Sequence, residues 1–217
     1  MDFEVWEGYY RQILSEFGFD RGEDERSASI LSELLIGKKL TSKDELRALI
    51  KGKDVSVIGG GKNLEKELDK DISKNVMIAA NGTTSLLLSK KLVPDIIVTD
   101  LDGNIDDQIS ANGMGAIVAI HAHGDNMEQI RKWTPKFMDK VIGTVQCKPF
   151  GALYNFGGFT DGDRGVFLAD HFGAKSIRLI GFDFENVGDK PNCDRNTKLR
   201  KLEWAKRLII SLDVDAD

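Results

Sequence analysis

Apolar residues at three- and four-residue spacing open the chain. Trp6, Tyr9, Tyr10, Ile13, Leu14 and Phe17 form one such series, and Ile30, Leu31, Leu34 and Leu35 form another, each as one buried face of an amphipathic helix requires. Ser42 followed by Glu45 fits a capping box, in which hydroxyl and carboxylate satisfy the orphan amides at the start of a short helix carrying Leu46, Leu49 and Ile50. From Asp54 onward the pattern changes to short apolar or β-branched runs: Val55–Ile58, Val76–Ala80, Ile96–Thr99, Ala116–Ile120, Val141–Val145 and Ile177–Ile180. Helical stretches separate them, and the runs are continuously apolar instead of alternating, as strands covered on both faces are. The pattern predicts an α/β protein with a Rossmann-like, mostly parallel sheet flanked by helices: a helical section over residues 1–52, then an α/β domain over residues 53–217. A last helix over Lys198–Leu212 would put Leu199, Leu202, Ala205, Leu208, Ile209 and Leu212 on one side and Lys201, Lys206 and Arg207 on the other.

Composition narrows the partners. With 217 residues, 41% hydrophobic and 30% charged, the chain is long enough to bury one sizeable core without staples. A formal net charge of −5 and a pI near 5.3 argue against nucleic acid as a partner, because that binding needs a concentrated basic surface. No apolar run approaches the roughly 20 residues of a membrane helix, and the start MDFEVWEGYYRQ lacks a basic segment followed by an apolar one, so no membrane association and a cytoplasmic location are expected. Cys147 and Cys193 show no zinc spacing and read as ordinary thiols.

In an open parallel sheet, ligands bind beyond the carboxyl ends of the strands. Here those positions are polar on five of the predicted strands: Gly59-Gly60-Gly61-Lys62-Asn63, Asn81-Gly82-Thr83-Thr84, Asp100-Leu101-Asp102-Gly103, His121-Ala122-His123-Gly124-Asp125-Asn126 and Gly181-Phe182-Asp183. Gly59-x-Gly61 lacks the third glycine of a dinucleotide fingerprint, and no Walker sequence occurs, so the loop reads either as a generic anion cradle at a helix start or as a tight turn. Asp100 and Asp102 stand two apart across a turn, a spacing that lets both carboxylates serve one hard cation such as Mg²⁺ shared with substrate phosphates.

His121-x-His123-x-Asp125 resembles the opening of a binuclear hydrolase metal site, but Asn126 stands where the last histidine belongs and only His171 remains elsewhere. Asp125 then reads as a third metal or base carboxylate, with His121 and His123 toward phosphates. Gly157-Gly158-Phe159-Thr160-Asp161-Gly162-Asp163-Arg164-Gly165 precedes an apolar helix, so its amides and Arg164 are candidates to hold an anion. Phe150, Tyr154, Phe156 and Phe159 could stack on a flat heterocycle or close over the core.

The segments PDIIVTDLDG (94–103), HAHGDN (121–126), GFTDGDRGVFLA (158–169), IRLIGFDF (177–184) and KLRKLEWAKRLI (198–209) resemble the archaeal 6-hydroxymethyl-7,8-dihydropterin pyrophosphokinase family, itself similar to the catalytic domain of thiamine pyrophosphokinase. The resemblance covers roughly Asp54 to Leu212. It implies transfer of a diphosphoryl group from ATP to the hydroxymethyl of a reduced pterin, with AMP released, Mg²⁺ required and a homodimer as the assembly. Carried over by motif, Asp100, Asp102 and Asp125 would be catalytic and serve the magnesium. Gly59, Gly60, Gly61, Asn81, Gly82, Thr83, His121, His123, Thr160, Asp161 and Arg164 would line the phosphate region, and Lys198 and Lys201 would reach the nucleotide. Lys62-Asn63 stands where relatives often carry Pro-Ser. Alternatives from the same strand-end cluster are thiamine diphosphorylation, a metal-dependent glycosyltransferase using Asp100-x-Asp102, and a nucleotide-binding module without turnover.

Overall fold

The computed structural model describes residues 1–68, 72–186, 194–212 and 214. Within them, β1 (Asp54–Ile58), β2 (Val76–Ala80), β3 (Ile96–Thr99), β4 (Ile117–Ala122), β5 (Val141–Val145), β6 (Leu153–Tyr154) and β7 (Ser176–Ile180) form one sheet in the order β6-β5-β4-β3-β2-β1-β7. Every strand pairing is parallel. The chain steps outward from β1 to β6 and then returns across the sheet to lay β7 on the other side of β1, so the strand order reverses between β1 and β7.

The helices are α1 (Phe3–Phe17), α2 (Arg21–Leu34), α3 (Lys43–Ile50), α4 (Leu64–Glu67), α5 (Thr83–Ser89), α6 (Ile105–Gly113), α7 (Met127–Trp133), α8 (Asp161–His171) and α9 (Arg195–Ile210). Period-two alternation along β4 sorts them onto the two faces. Val118 and Ile120 pack with Trp6, Tyr10, Ile13 and Leu31 of α1 and α2, whereas Ile117 and Ala119 pack with Leu46 and Ile50 of α3 and Val166 and Leu168 of α8. The amino-terminal helices therefore share their core with the sheet. Trp6 and Tyr10 are fully buried, and each such side chain contributes about 1.5–3 kcal/mol by leaving water.

The Ser42–Glu45 capping box forms in full at the start of α3. Three features differ from the sequence reading. Strand β4 continues through His121 and Ala122, because the register with Thr144 and Val145 of β5 carries on for two more residues. Strand β6, only two residues long, lies inside the aromatic loop and is too short to show a pattern. Helix α9 starts earlier, where Asp194 accepts from Asn196 N, and its buried face includes Trp204, whose indole donates to Glu16 of α1. Cys147 is a buried free thiol, pushed up to about 12 by burial, while Cys193 lies outside the described residues. No helix among the described residues is long and apolar enough to cross a membrane.

Candidate active site

A cleft of about 1080 Å³ runs along the carboxyl edge of the sheet, lined by the loops after β1, β2, β3, β4, β5 and β7, the α1–α2 corner and the inner side of α9. At its centre the chain after β3 makes a tight turn. Leu101 sits at φ +66° with its side chain buried, and Thr99 Oγ1 receives its amide. Asp100 and Asp102 on either side of it line the cleft. Asn81, also at a positive φ of +45°, clasps the pair: its Nδ2 donates to Oδ1 of Asp100 at 2.9 Å and to Oδ1 of Asp102. The amide cannot turn over, since its Oδ1 accepts from buried Gln108 of α6 at 2.8 Å. Two non-glycine residues in the left-handed region, each costing about 1–2 kcal/mol, thus coincide with the carboxylate pair.

His123 Nε2 stands 3.5 Å from the second oxygen of Asp100. Burial pushes the Asp100 carboxyl up, but the His123 hydrogen bond and charge, with Arg164 beyond, outweigh it and hold the group below its ordinary value. Asn126 ties three elements together: Nδ2 donates to the carbonyls of Asp100 and His121, and Oδ1 accepts from His123 N and from Ser27 of α2. That position is a latch and not the missing metal ligand. Among the described residues no group of three or more His, Cys, Asp or Glu side chains is arranged to hold a metal, so Asp125, exposed on the cleft wall, is not gathered with Asp100 and Asp102.

His121 also differs from its expected place. As a strand residue it is buried behind the cleft wall, with Nδ1 3.1 Å from Thr144 Oγ1. The Thr144 hydroxyl donates to Ile120 O, so Nδ1 carries the ring proton. Burial, then the nearby Arg164 charge, lowers its pKa well below the usual histidine range. A depressed folded-state pKa means stability that is present above about 6.5 and lost as pH falls below it, because the unfolded imidazole protonates first. Denaturation midpoints measured from about pH 7.5 to 5.5 are expected to fall for the native chain and to fall less for His121→Gln; equal slopes would refute the assignment.

Helix α8 begins at Thr160, in a capping box with Asp163. The Thr160 hydroxyl donates to Asp163 and is engaged there, while Asp163 also accepts from Phe159 N and Thr160 N at 2.6 Å each. Asp161 turns to the cleft and pairs with Arg164 at 3.2 Å; burial and then the Asp100 charge raise its carboxyl well above the ordinary value. Arg164 also donates to Gln146 Oε1 at 3.4 Å. Glycine is required at 158 by its φ of +89° and because a Cβ there would meet Arg164 Cα at 2.6 Å.

The first glycine loop has a comparable structural cause. Gly59 and Gly61 donate to the carbonyls of Ile180 and Gly181, and a Cβ on Gly61 would stand 2.6 Å from Gly181 O. The loops after β1 and β7 touch there, which leaves exposed Gly60 and Gly82 on the cleft wall. Thr83 donates to Ile58 O at 3.3 Å. Lys198 and Lys201 reach the cleft from α9. Of the aromatic loop only Phe159 does so; Tyr154 stacks on Phe156, which packs on Phe172.

Sequence reasoning missed the contribution of α1 and α2. Asp24, 3% exposed, accepts from Tyr10 OH at 2.5 Å, Gln146 Nε2 at 2.8 Å and Gly124 N at 2.8 Å. It joins α2 to the His123–Asp125 loop and, through Gln146, to Arg164. Gln146 directly follows β5, so the strand-end rule would have found it; nothing local marks Asp24.

A reversed parallel sheet with a clasped carboxylate pair, an arginine and a helix start on its carboxyl edge defines a Rossmann-like protein built to hold anionic groups. Residues 29–189 match the family described as 6-hydroxymethylpterin diphosphokinase MptE-like, and the chain belongs to that family. Relatives named 6-hydroxymethyl-7,8-dihydropterin pyrophosphokinase come from Methanothermobacter thermautotrophicus (42% identical, covering 100% of this chain and 97% of the relative) and Methanocaldococcus jannaschii (38%, covering 96% and 95%). A third, from Pyrococcus furiosus, is 42% identical, covering 96% and 93%. The MAf glycosyltransferase of Magnetospirillum magneticum AMB-1 shares the fold at a TM-score of 0.53 and 13% identity, over 87% of this chain and 34% of that one.

Proposed function

We propose that the protein is a pterin diphosphokinase: it moves the β,γ-diphosphoryl group of ATP to the hydroxymethyl group of 6-hydroxymethyl-7,8-dihydropterin and releases AMP. Family membership supports the reaction, and the site observation that carries it is the Asn81-clasped pair Asp100 and Asp102 in one cleft with Arg164. The donor set suits Mg²⁺, which takes one or two carboxylates and completes its shell with phosphate oxygens and water. Asp100 and Asp102 would hold it, and when bound it supplies charge neutralisation to the phosphate chain.

The chain's own residues supply position and field. Hydroxyl attack on the β-phosphorus forms one P–O bond and breaks the bond to the bridging oxygen of the departing AMP, which calls for alignment and charge compensation more than covalent catalysis. Arg164, forked between Asp161 and Gln146, presents a fixed cation, and the start of α8 adds its backbone N–H groups. Asp125, exposed on the cleft wall in the loop after β4, is the carboxylate we assign to take the hydroxyl proton. Incubation of purified protein with ATP, Mg²⁺ and the pterin, with thiamine in parallel, is expected to yield AMP in step with pterin diphosphate and none with thiamine. ATP binding without diphosphorylation of the pterin would overturn the proposal.

A further inference from the structure

The Asn81 amide is held from behind the cleft wall. Its backbone is fixed first: the N–H donates to Val98 O at 2.8 Å, and the carbonyl accepts from both the amide and the hydroxyl of Thr84. Only the carboxamide is left to turn, and two fully buried donors meet its oxygen, Gln108 Nε2 of α6 at 2.8 Å and Thr99 Oγ1 at 3.4 Å. Gln108 Nε2 also donates to Asp102 O at 3.2 Å, so both acceptors in front of it demand its nitrogen and not its oxygen. The Gln108 oxygen is buried and meets no donor among the described residues. A wholly buried side chain that leaves its own acceptor unsatisfied while its nitrogen serves the clasp marks a constraint beyond packing.

While the carboxylates stand bare, they hold the Asn81 nitrogen by themselves, because two anions face it. With a divalent cation on the pair that preference reverses, since hard cations take carboxamide oxygens as ligands and repel N–H groups. A half-turn exchanges the two amide atoms and would set the Asn81 oxygen where its nitrogen now touches Asp100 and Asp102. Resting on the diphosphokinase reading, we propose that Gln108 is a positioning residue: with Thr99 beside it, it keeps Asn81 a hydrogen-bond donor in the loaded site, so that the cation's remaining positions stay open to phosphate and water.

The half-turn is opposed at its rear. It would bring Asn81 Nδ2 against Gln108 Nε2 and the Thr99 hydroxyl, leaving buried donors face to face with no acceptor between them. What the lock preserves is a place in the cation's shell. Mg²⁺ keeps near-octahedral geometry and serves phosphates through one or two carboxylates, so a third protein ligand would take a position that the phosphate chain needs. Gln108 does not line the cleft and acts on that shell only through Asn81, which does.

The test counts waters on protein-bound Mn²⁺, used in place of Mg²⁺ and without nucleotide, by the broadening of its paramagnetic resonance in water enriched in the magnetic oxygen isotope. The native count is expected to be unchanged in Asn81→Gly, a substitution suited to the φ of +45° there, and this comparison needs no variant of Gln108 to fold. Gln108→Met keeps the volume without the donor, and Gln108→Asn keeps an amide too short to reach. In each, the count is expected to fall by about one, Mn²⁺ to bind about ten-fold tighter, and kcat to drop about ten-fold with the KM for the pterin within about two-fold. Adding Asn81→Gly to either variant restores the water. A merely structural Gln108 would lower the melting temperature and leave the count alone. A native count that rises in Asn81→Gly, Gln108 variants with native count and affinity, or native protein that binds no Mn²⁺ each overturns this inference. Native protein that behaves as expected with Mn²⁺ but leaves the pterin unreacted overturns the diphosphokinase reading instead.

Discussion

Asp100→Asn and Asp102→Asn are each expected to lower diphosphate transfer by about 10³-fold or more, roughly 4 kcal/mol of transition-state stabilisation, while leaving the fold intact. The substitution keeps the shape and one oxygen that can still accept from Asn81 Nδ2, so the turn after β3 has no reason to open. What disappears is negative charge at the carboxylate pair that the proposed reaction uses. For Asp100 the partner His123 also loses its anion, so that variant is expected to be the weaker of the two. Single-turnover rates with saturating ATP, together with melting curves, separate lost chemistry from lost structure. Near-native rates in both variants would remove the carboxylate pair from the mechanism.

Much of this arrangement is legible along the chain, and the exceptions have physical causes. Continuous apolar runs mark buried parallel strands because a strand covered by helices on both faces has no wet side, so β1, β2, β3 and β5 emerge with nearly their observed limits. Strand order does not follow from local pattern; the return of β7 to β1 is a long-range pairing, and it brings Gly181 O to within 2.6 Å of where a Cβ on Gly61 would stand. The strand-end rule put Asp100 and Asp102 on the cleft wall, where they lie, and placed His121 there too, because the sequence pattern does not show that β4 runs on through His121 and Ala122 and so keeps His121 within the sheet. Asn81 illustrates a different gap. Its place after β2 put it at the site, where it lies, but pattern alone does not show that its amide holds two carboxylates together. The α1–α2 corner was least visible, since amphipathic spacing reports that a face is buried and not what its polar residues touch.

Asp24 makes that last point testable, because a buried carboxylate with three donors is the joint between the helical section and the site. Asp24→Ala leaves Tyr10 OH, Gln146 Nε2 and Gly124 N facing a void, and orphaned buried donors cost about 1–3 kcal/mol each before any relaxation. A loss of about 3–5 kcal/mol is expected, visible as a melting temperature lower by about 10 °C for a chain of this length. Tyr10→Phe removes a single donor and should cost only about 1 kcal/mol; burial and then the Asp24 hydrogen bond push the phenol's pKa up, so it remains a donor at every working pH. Asp24→Asn is the informative intermediate. It keeps the volume but sets an amide N–H against at least one of the three donors, so the His123–Asp125 loop loses its Gly124 anchor or Gln146 loses its hold on Arg164. Either loosening should reduce kcat more than it raises the KM for ATP, since both groups matter most while charge redistributes along the phosphate chain. A stability loss with unchanged kcat would make Asp24 a core residue only, and α2 a support and not a wall of the site.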